Sequence, residues 1–142
     1  MKKNTVIRPI KESDVNKIYE IVERKFTINK NLRPEHDELR EWLNDKYHIM
    51  LVADCCNEIV GFEHAYMISS SYAIIDTMFV TKSYRNRGIA THMNKKMESV
   101  LKDKKIRYVA QICVANSKET KNFLKKSSYI EEENMIWMGK NL

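Results

Sequence analysis

Apolar positions along this chain alternate between a helical and a strand-like period, and the switches between the two mark out its elements. Val15, Ile18, Tyr19, Val22 and Phe26 recur at helical spacing behind Ser13 or Asp14, either of which can cap the first turn. Pro34 and Glu35 open a second helix that carries Leu39, Trp42 and Leu43. Ile89, Met93, Met97, Val100 and Leu101 form an apolar stripe with lysines on the outside. Residues 117–126 read as a fourth helix. Short apolar runs at 5–9, 49–53, 59–68, 72–80 and 106–114 read as strands, with a hairpin turn at 54–58. Tyr129-Ile130 and residues 135–139 read as a last strand pair around Glu131-Glu132-Glu133. The order is β-α-α-β-β-β-α-β-α-β-β. The strands on either side of the helix that begins near Ile89 should pair in parallel through a crossover, and the earlier hairpin should be antiparallel. We therefore expect an α/β fold with a mixed, mostly antiparallel central sheet flanked by helices, as one domain over 1–142.

Composition narrows the class. The 142 residues are 43% apolar and 31% charged, which describes a folded chain rather than a disordered one. No run approaches the ~20 apolar residues of a membrane span, and Met1-Lys2-Lys3 leads into no long apolar segment, so we expect no membrane partner and a cytoplasmic protein. Cys55, Cys56 and Cys113 are odd in number and suggest no disulfide framework. The net charge of +6 fits either nucleic acid or one small polyanion. The lysines are spread from Lys2 to Lys140 with no aromatic-interleaved basic patch, which argues against nucleic acid.

The most specific stretch is Arg85-Asn86-Arg87-Gly88-Ile89-Ala90. It lies between the strand ending at Val80 and a helix N-terminus. A basic turn with one glycine at that place can aim several backbone N–H groups at one anion, and the helix end adds partial positive charge. The stretch resembles the Arg/Gln-x-x-Gly-x-Gly/Ala pyrophosphate loop of the GNAT superfamily of N-acetyltransferases, met here as Arg85, Gly88 and Ala90. The order of elements is similar to the GNAT fold over nearly the whole chain.

This resemblance implies acetyl-coenzyme A as acyl donor, with no metal, and its diphosphate on the amides from Arg87 to Ala90. It also implies that the backbones of Met78, Phe79 and Val80 pair with the pantetheine arm, one N–H near Phe79 or Val80 polarising the thioester carbonyl. Aligning Ser128-Tyr129 with the family's Gly-Phe sets Ser117 at its usual Asn, with Asn116 one residue early. Either could meet the pantetheine. The same register sets Phe123 and Leu124 on the family's Phe-Tyr pair. Leu124 therefore stands where the family keeps a tyrosine acid, and a leucine cannot donate a proton.

Transfer to an amine needs positioning and a base for the amine proton. Asp76, four residues before Val80, is the best candidate, and several relatives carry Glu or Asp there. Its alternative is an acid paired with a nearby lysine. Glu63 and His64 precede it on the neighbouring strand and should point to opposite faces, so at most one meets the substrate. The alternation of the strand itself sets Asp76, Met78 and Val80 on one face and Ile75, Thr77 and Phe79 on the other. Trp42 and Tyr19 read as core. His36, His48, His64 and His92 lack the spacing of a zinc site.

The function these residues support is transfer of the acetyl group of acetyl-coenzyme A to a primary amine of a small molecule or peptide. A catalytically weak acyl-coenzyme A-binding regulatory module is the rival that Leu124 permits, and a basic nucleic-acid-binding domain is a third. The exposed last strands offer an edge for a homodimer, with Tyr129, Met135 and Trp137 as interface candidates or, equally, core.

Overall fold

Cys56 and Asn57 both take left-handed backbone conformations, φ 57° and 67°, as a two-residue hairpin turn requires. Asp54 braces that turn by accepting the Asn57 N–H at 2.9 Å. The hairpin is therefore tighter than the 54–58 turn expected from sequence: Cys55 ends one strand and Glu58 begins the next. In the computed structural model, which describes residues 5–25, 34–132 and 138–140, this hairpin is the centre of a five-stranded sheet.

The chain divides into two compact units, Met1–Ile112 and Cys113–Leu142. The first contains β1 (Thr5–Pro9), α1 (Val15–Lys25), α2 (His36–Asn44), β2 (His48–Cys55), β3 (Glu58–Met67), β4 (Tyr72–Val80), α3 (Ile89–Asp103) and β5 (Tyr108–Gln111). The sheet runs β1-β2-β3-β4-β5. Its first three ladders are antiparallel and β4 pairs with β5 in parallel, so the sheet is mixed as the sequence implied. Among the described residues no helix is long and apolar enough to cross a membrane.

Each face of the sheet buries one helical layer. Val15, Ile18 and Val22 of α1 and Leu39 of α2 pack with Met50, Val52 and Phe62. Met97 and Leu101 of α3 pack on Leu51, Ala65, Ala73 and Ile75 from the other side. At the start of α3, Ile89 and Met93 pack with Ala53, Val60 and Val80. A Cβ on Gly61 would lie 2.9 Å from Met93 Sδ and 3.1 Å from the Phe79 carbonyl, so α3 sits on bare backbone there. At the sheet edge Arg8 forks onto Asp14, at 2.6 and 3.1 Å, and reaches Asp54 at 2.8 Å, tying β1 to the entry of α1 and to β2. Arg8 holds the Asp14 carboxyl below the usual carboxylate range, assisted by the Lys11 N–H.

Two bulges set which side chains share a face. Val60 is extra between the pairs Asp54–Ile59 and Ala53–Gly61. Asp76 is extra between His64–Thr77 and Ala65–Ile75. A bulge advances one strand by a residue and shifts its alternation. This corrects the face assignment made from simple alternation. Ile75 lies on the α3 side with Met78 and Val80, whose partners are Ala65, Glu63 and Gly61. Asp76 instead joins Thr77 on the α1–α2 side, where both line one cleft with Phe62 and His64.

The second unit contains α4 (Lys118–Lys126). Ser117 caps it, accepting the Thr120 N–H at 3.3 Å. Its far end closes through Ser127, Ser128 and Tyr129, whose N–H donates to the Leu124 carbonyl at 3.0 Å. The Tyr129 amide is spent on that cap, and Tyr129-Ile130 form no strand, contrary to expectation. Glu131 pairs with Lys121 and Lys125. Glu133, Met135 and Trp137 lie outside the described residues, as does Phe26. The strand expected over 106–114 is confined to Tyr108–Gln111.

Candidate active site

Between β4 and α3 the chain makes a single 3-10 turn, Lys82–Tyr84, then the basic loop. Asn86 and Gly88 are both left-handed, φ 58° and 78°. Gly88 is the N-cap of α3. The N–H groups of Ile89, Ala90 and Thr91 fall in the first helical turn, where no carbonyl of the same helix can accept them. They form a donor cluster at the positive end of a 15-residue helix. The two arginines are partly committed: Arg85 Nε donates to the Val80 carbonyl at 3.0 Å, and Arg87 donates to the Ser83 carbonyl at 2.9 Å while lying over the Tyr84 ring. His92 lies one turn along α3, its Nδ1 2.7 Å from the Gly88 carbonyl.

The β4–β5 ladder ends at Ile75 and Gln111, with one more bond from the Ile112 N–H to the Ile75 carbonyl at 3.1 Å. β4 runs on for five more residues, Asp76, Thr77, Met78, Phe79 and Val80, without a partner in β5. The carboxylate therefore stands where the parallel pairing stops.

On the α1–α2 side of this point a cleft with about 270 Å³ of non-atom space, part of it open to solvent, is lined by Val22, Pro34, Trp42, Phe62, His64, Asp76 and Thr77. His64 is buried, and its Nδ1 lies 2.7 Å from Asp76 Oδ1. On the other side of the ring, Nε2 lies 2.9 Å from Nδ1 of His48. The Trp42 indole lies nearly parallel over both imidazoles, at 4.5 Å from His48 and 4.6 Å from His64. Tyr66 touches His48 at 4.8 Å. Burial and the neighbouring His64 push the His48 pKa down, against opposing pulls from Asp45 and Asp76.

Asp76 and His64 are thus brought together; Glu63 is not. Glu63 pairs with Leu51 and Met78 on the α3 side, fully buried, with neither carboxylate oxygen hydrogen-bonded among the described residues. Burial, reinforced by Glu98, pushes its pKa up to about 8. Glu63 therefore lies on the face of the sheet opposite the one that carries Asp76, His64 and the cleft. Sequence reasoning missed His48 and took Trp42 for core. Trp42 does rest on the α1–α2 core, with its other surface over the histidines.

The model of the acetyltransferase (GNAT) family matches residues 15–129. The chain belongs to this family. No curated protein matches it in sequence at a significant level. Among solved structures it is similar to an aminoglycoside acetyltransferase from an uncultured soil metagenomic sample, crystallised with sisomicin: 20% identity, TM-score 0.80, 97% of this chain and 96% of that one. It is similar to the aminoglycoside N-acetyltransferase AAC(6')-Iy in complex with CoA, at 18% identity and TM-score 0.83 over 100% and 98% of the two chains. It is similar also to a protein described as a transcriptional regulator from Bacillus halodurans, at 17% identity and TM-score 0.79 over 96% and 100%. At these identities the likeness is one of fold.

Ser128, set against the family's glycine, has φ 68°, a conformation that favours glycine. Leu124, set against the family's tyrosine in the same expectation, is buried on α4. Ser117 is the cap of α4 and also donates its hydroxyl to Thr120 at 2.7 Å. Asn116 is exposed, and Phe123 is half-buried.

Proposed function

We propose that this GNAT protein transfers the acetyl group of acetyl-coenzyme A to a primary amine, with Asp76 as the base. The observation that carries the reading is the placement of Asp76, in a bulge where the β4–β5 ladder ends, hydrogen-bonded to His64 and open to a cleft. The residues fit the donor. The amides from Arg87 to Ala90 gather at a helix start whose left-handed glycine leaves room for close approach, and β4 beyond Ile75 has no β5 partner, so a pantetheine arm could pair there once Arg85 Nε gives up the Val80 carbonyl.

The amine enters as an ammonium and donates to Asp76 Oδ2, which has no partner among the described residues. It passes one proton there and becomes a nucleophile. Its nitrogen bonds to the thioester carbonyl carbon, the C–S bond breaks, and the thiolate leaves. The second nitrogen proton goes to that thiolate directly or through water. A thiol pKa of about 8.5 makes the thiolate a tolerable leaving group without a tyrosine acid.

The fold neighbours make aminoglycosides the first amines to test. Asp76 is the one acid among the residues lining the cleft, beside Trp42 and Phe62. Two of the three acids of α2 are engaged elsewhere: Glu38 accepts the Glu35 N–H in a capping box, and Asp37 pairs with Arg40. One carboxylate between aromatic walls suits a monoamine with an apolar body better than a polycation. The buried Leu124 favours, as second reading, an acyl-coenzyme A-binding regulator without turnover.

Calorimetric titration with acetyl-coenzyme A, followed by thiol release with monoamines, aminoglycosides, amino acids and peptides, tests both. Binding with turnover supports the enzyme, and binding without turnover supports the regulator. No binding by folded protein at about 1 mM, equal to about 4 kcal/mol, overturns both.

A further inference from the structure

We infer that His48 is a positioning residue for the proposed transfer: its Nδ1–H locks His64 in the tautomer that donates to Asp76, leaving Asp76 Oδ2 as the base that meets the amine. This rests on the acetyltransferase reading.

A neutral imidazole has one N–H and one lone pair, whereas a carboxylate only accepts. At 2.7 Å from Asp76 Oδ1, the His64 Nδ1 must therefore be the donor. The lone pair of His64 is then on Nε2, and the group 2.9 Å away, His48 Nδ1, must donate into it. Both nitrogens of His64 are engaged, so His64 cannot itself take a proton from the substrate. The lone pair left over on the histidines is His48 Nε2, which lies 3.9 Å from Asp45 Oδ2, beyond hydrogen-bond reach.

The sheet holds this arrangement. His48 opposes Tyr66 and His64 opposes Met50, so the two rings are diagonal neighbours on one face. Trp42 covers both rings, Tyr66 supports His48, and the side chains of His64 and His48 are 3% and 13% exposed, which resists ring flips. The charged or titratable groups facing His48 are His64 and Tyr66 of β3, Asp76 of β4 and Asp45 beyond α2. With both rings neutral, the Asp76–His64–His48 chain carries one negative charge for the ammonium. A proton taken up anywhere on it cancels that attraction.

Removing the His48 donor frees His64 Nε2 to take a proton beside Asp76. His48→Phe keeps a ring under Trp42 without an N–H, and His48→Asn restores an N–H donor near the position of Nδ1. The ¹⁵N chemical shifts of the His64 ring, recorded without ligand, should report the Nδ1–H tautomer in wild type and His48→Asn, and an altered tautomer or imidazolium in His48→Phe. For the reacting amine, KM of His48→Phe should rise as pH falls through the histidine range, by up to about tenfold per pH unit, the limit for one proton. kcat should move less, and His48→Asn should return the profile toward wild type. A His64 Nε2–H tautomer in wild type, or identical ring shifts and pH profiles in wild type and His48→Phe, would overturn the inference. An Nδ1–H signal in a protein that acetylates no amine would overturn the acetyltransferase reading and with it the role of His48 in transfer, while the tautomer lock itself would stand.

Discussion

His64 binds Asp76 across a bulge, its Nδ1 2.7 Å from one carboxylate oxygen, and this contact decides which oxygen of Asp76 remains for a substrate. Asp76→Asn keeps the shape and an acceptor for the His64 N–H while removing the base. Thiol release with the reacting amine should fall by about 10²–10⁴-fold in kcat/KM. Calorimetric affinity for acetyl-coenzyme A should stay within a few-fold, because the coenzyme loop is untouched. Unchanged turnover would assign the base elsewhere.

Gly88 should be intolerant of any side chain. Its φ of 78° puts a new Cβ 3.5 Å from the His92 ring, an ordinary contact, so the cost is conformational, about 1–2 kcal/mol. Gly88→Val should lower Tm by several degrees and weaken acetyl-coenzyme A binding at least about tenfold, as the loss of about 1.4 kcal/mol would. Thermal unfolding and calorimetry on the same preparation separate the two effects.

Ser128 presents the opposite case. At φ 68° it occupies a glycine conformation without being one. Ser128→Gly relieves left-handed strain and adds freedom to the unfolded chain, for a net gain of about 0.5–1 kcal/mol in urea unfolding. A loss of stability would speak against the register that sets Leu124 at the tyrosine position.

Glu63 sets a pH dependence. Its pKa is raised from 4.5 in the unfolded reference to about 8 in the fold, so between these values the folded chain holds a proton that the unfolded chain has lost. Its contribution to stability therefore falls as pH rises through that window. Glu63→Gln, which cannot ionise, should gain on wild type from about pH 5 to about pH 8 when urea midpoints are compared. A constant difference across the window would contradict the burial argument.

Asp14 gives the reverse sign. The Arg8 fork lowers its pKa, so its stabilisation is fully present above the usual aspartate value of about 3.9 and is lost as pH falls through the depressed one. Asp14→Asn should cost about 1.5–3 kcal/mol near neutrality, in the range of a charged hydrogen bond. The difference from wild type should shrink in acid.

Much of the sheet could be read from its residues. Thr5–Pro9 and Tyr72–Val80 form with the bounds their apolar runs indicated, and α3 carries Ile89, Met93, Met97 and Leu101 in the core. The loop at Gly88 was legible because glycine, arginines and helix start occur in one short stretch. The His48–His64 contact was not, because it depends on a bulge. Counted from the turn at Cys56–Asn57 without the extra Val60, Ile49 rather than Met50 would oppose His64, and His48 would turn to the α3 side. The same holds at Asp76, whose bulge moves the carboxylate to the side of His64. Alternation is a local signal, and a one-residue slip between strands leaves no trace in composition or period.

Since Asp76 has no register partner in β3, the ladder does not need it. Deleting its codon would leave His64 opposite Thr77 and Ala65 opposite Ile75, a regular hairpin with its core pairs intact. The loss would be confined to the carboxylate and the bend that carries it. On the proposed reading, a single in-frame deletion would therefore convert an acetyltransferase into a silent holder of coenzyme, and a single insertion would restore it. If Asp76 is the base proposed above, losing the reaction is for this chain a smaller step than losing the scaffold.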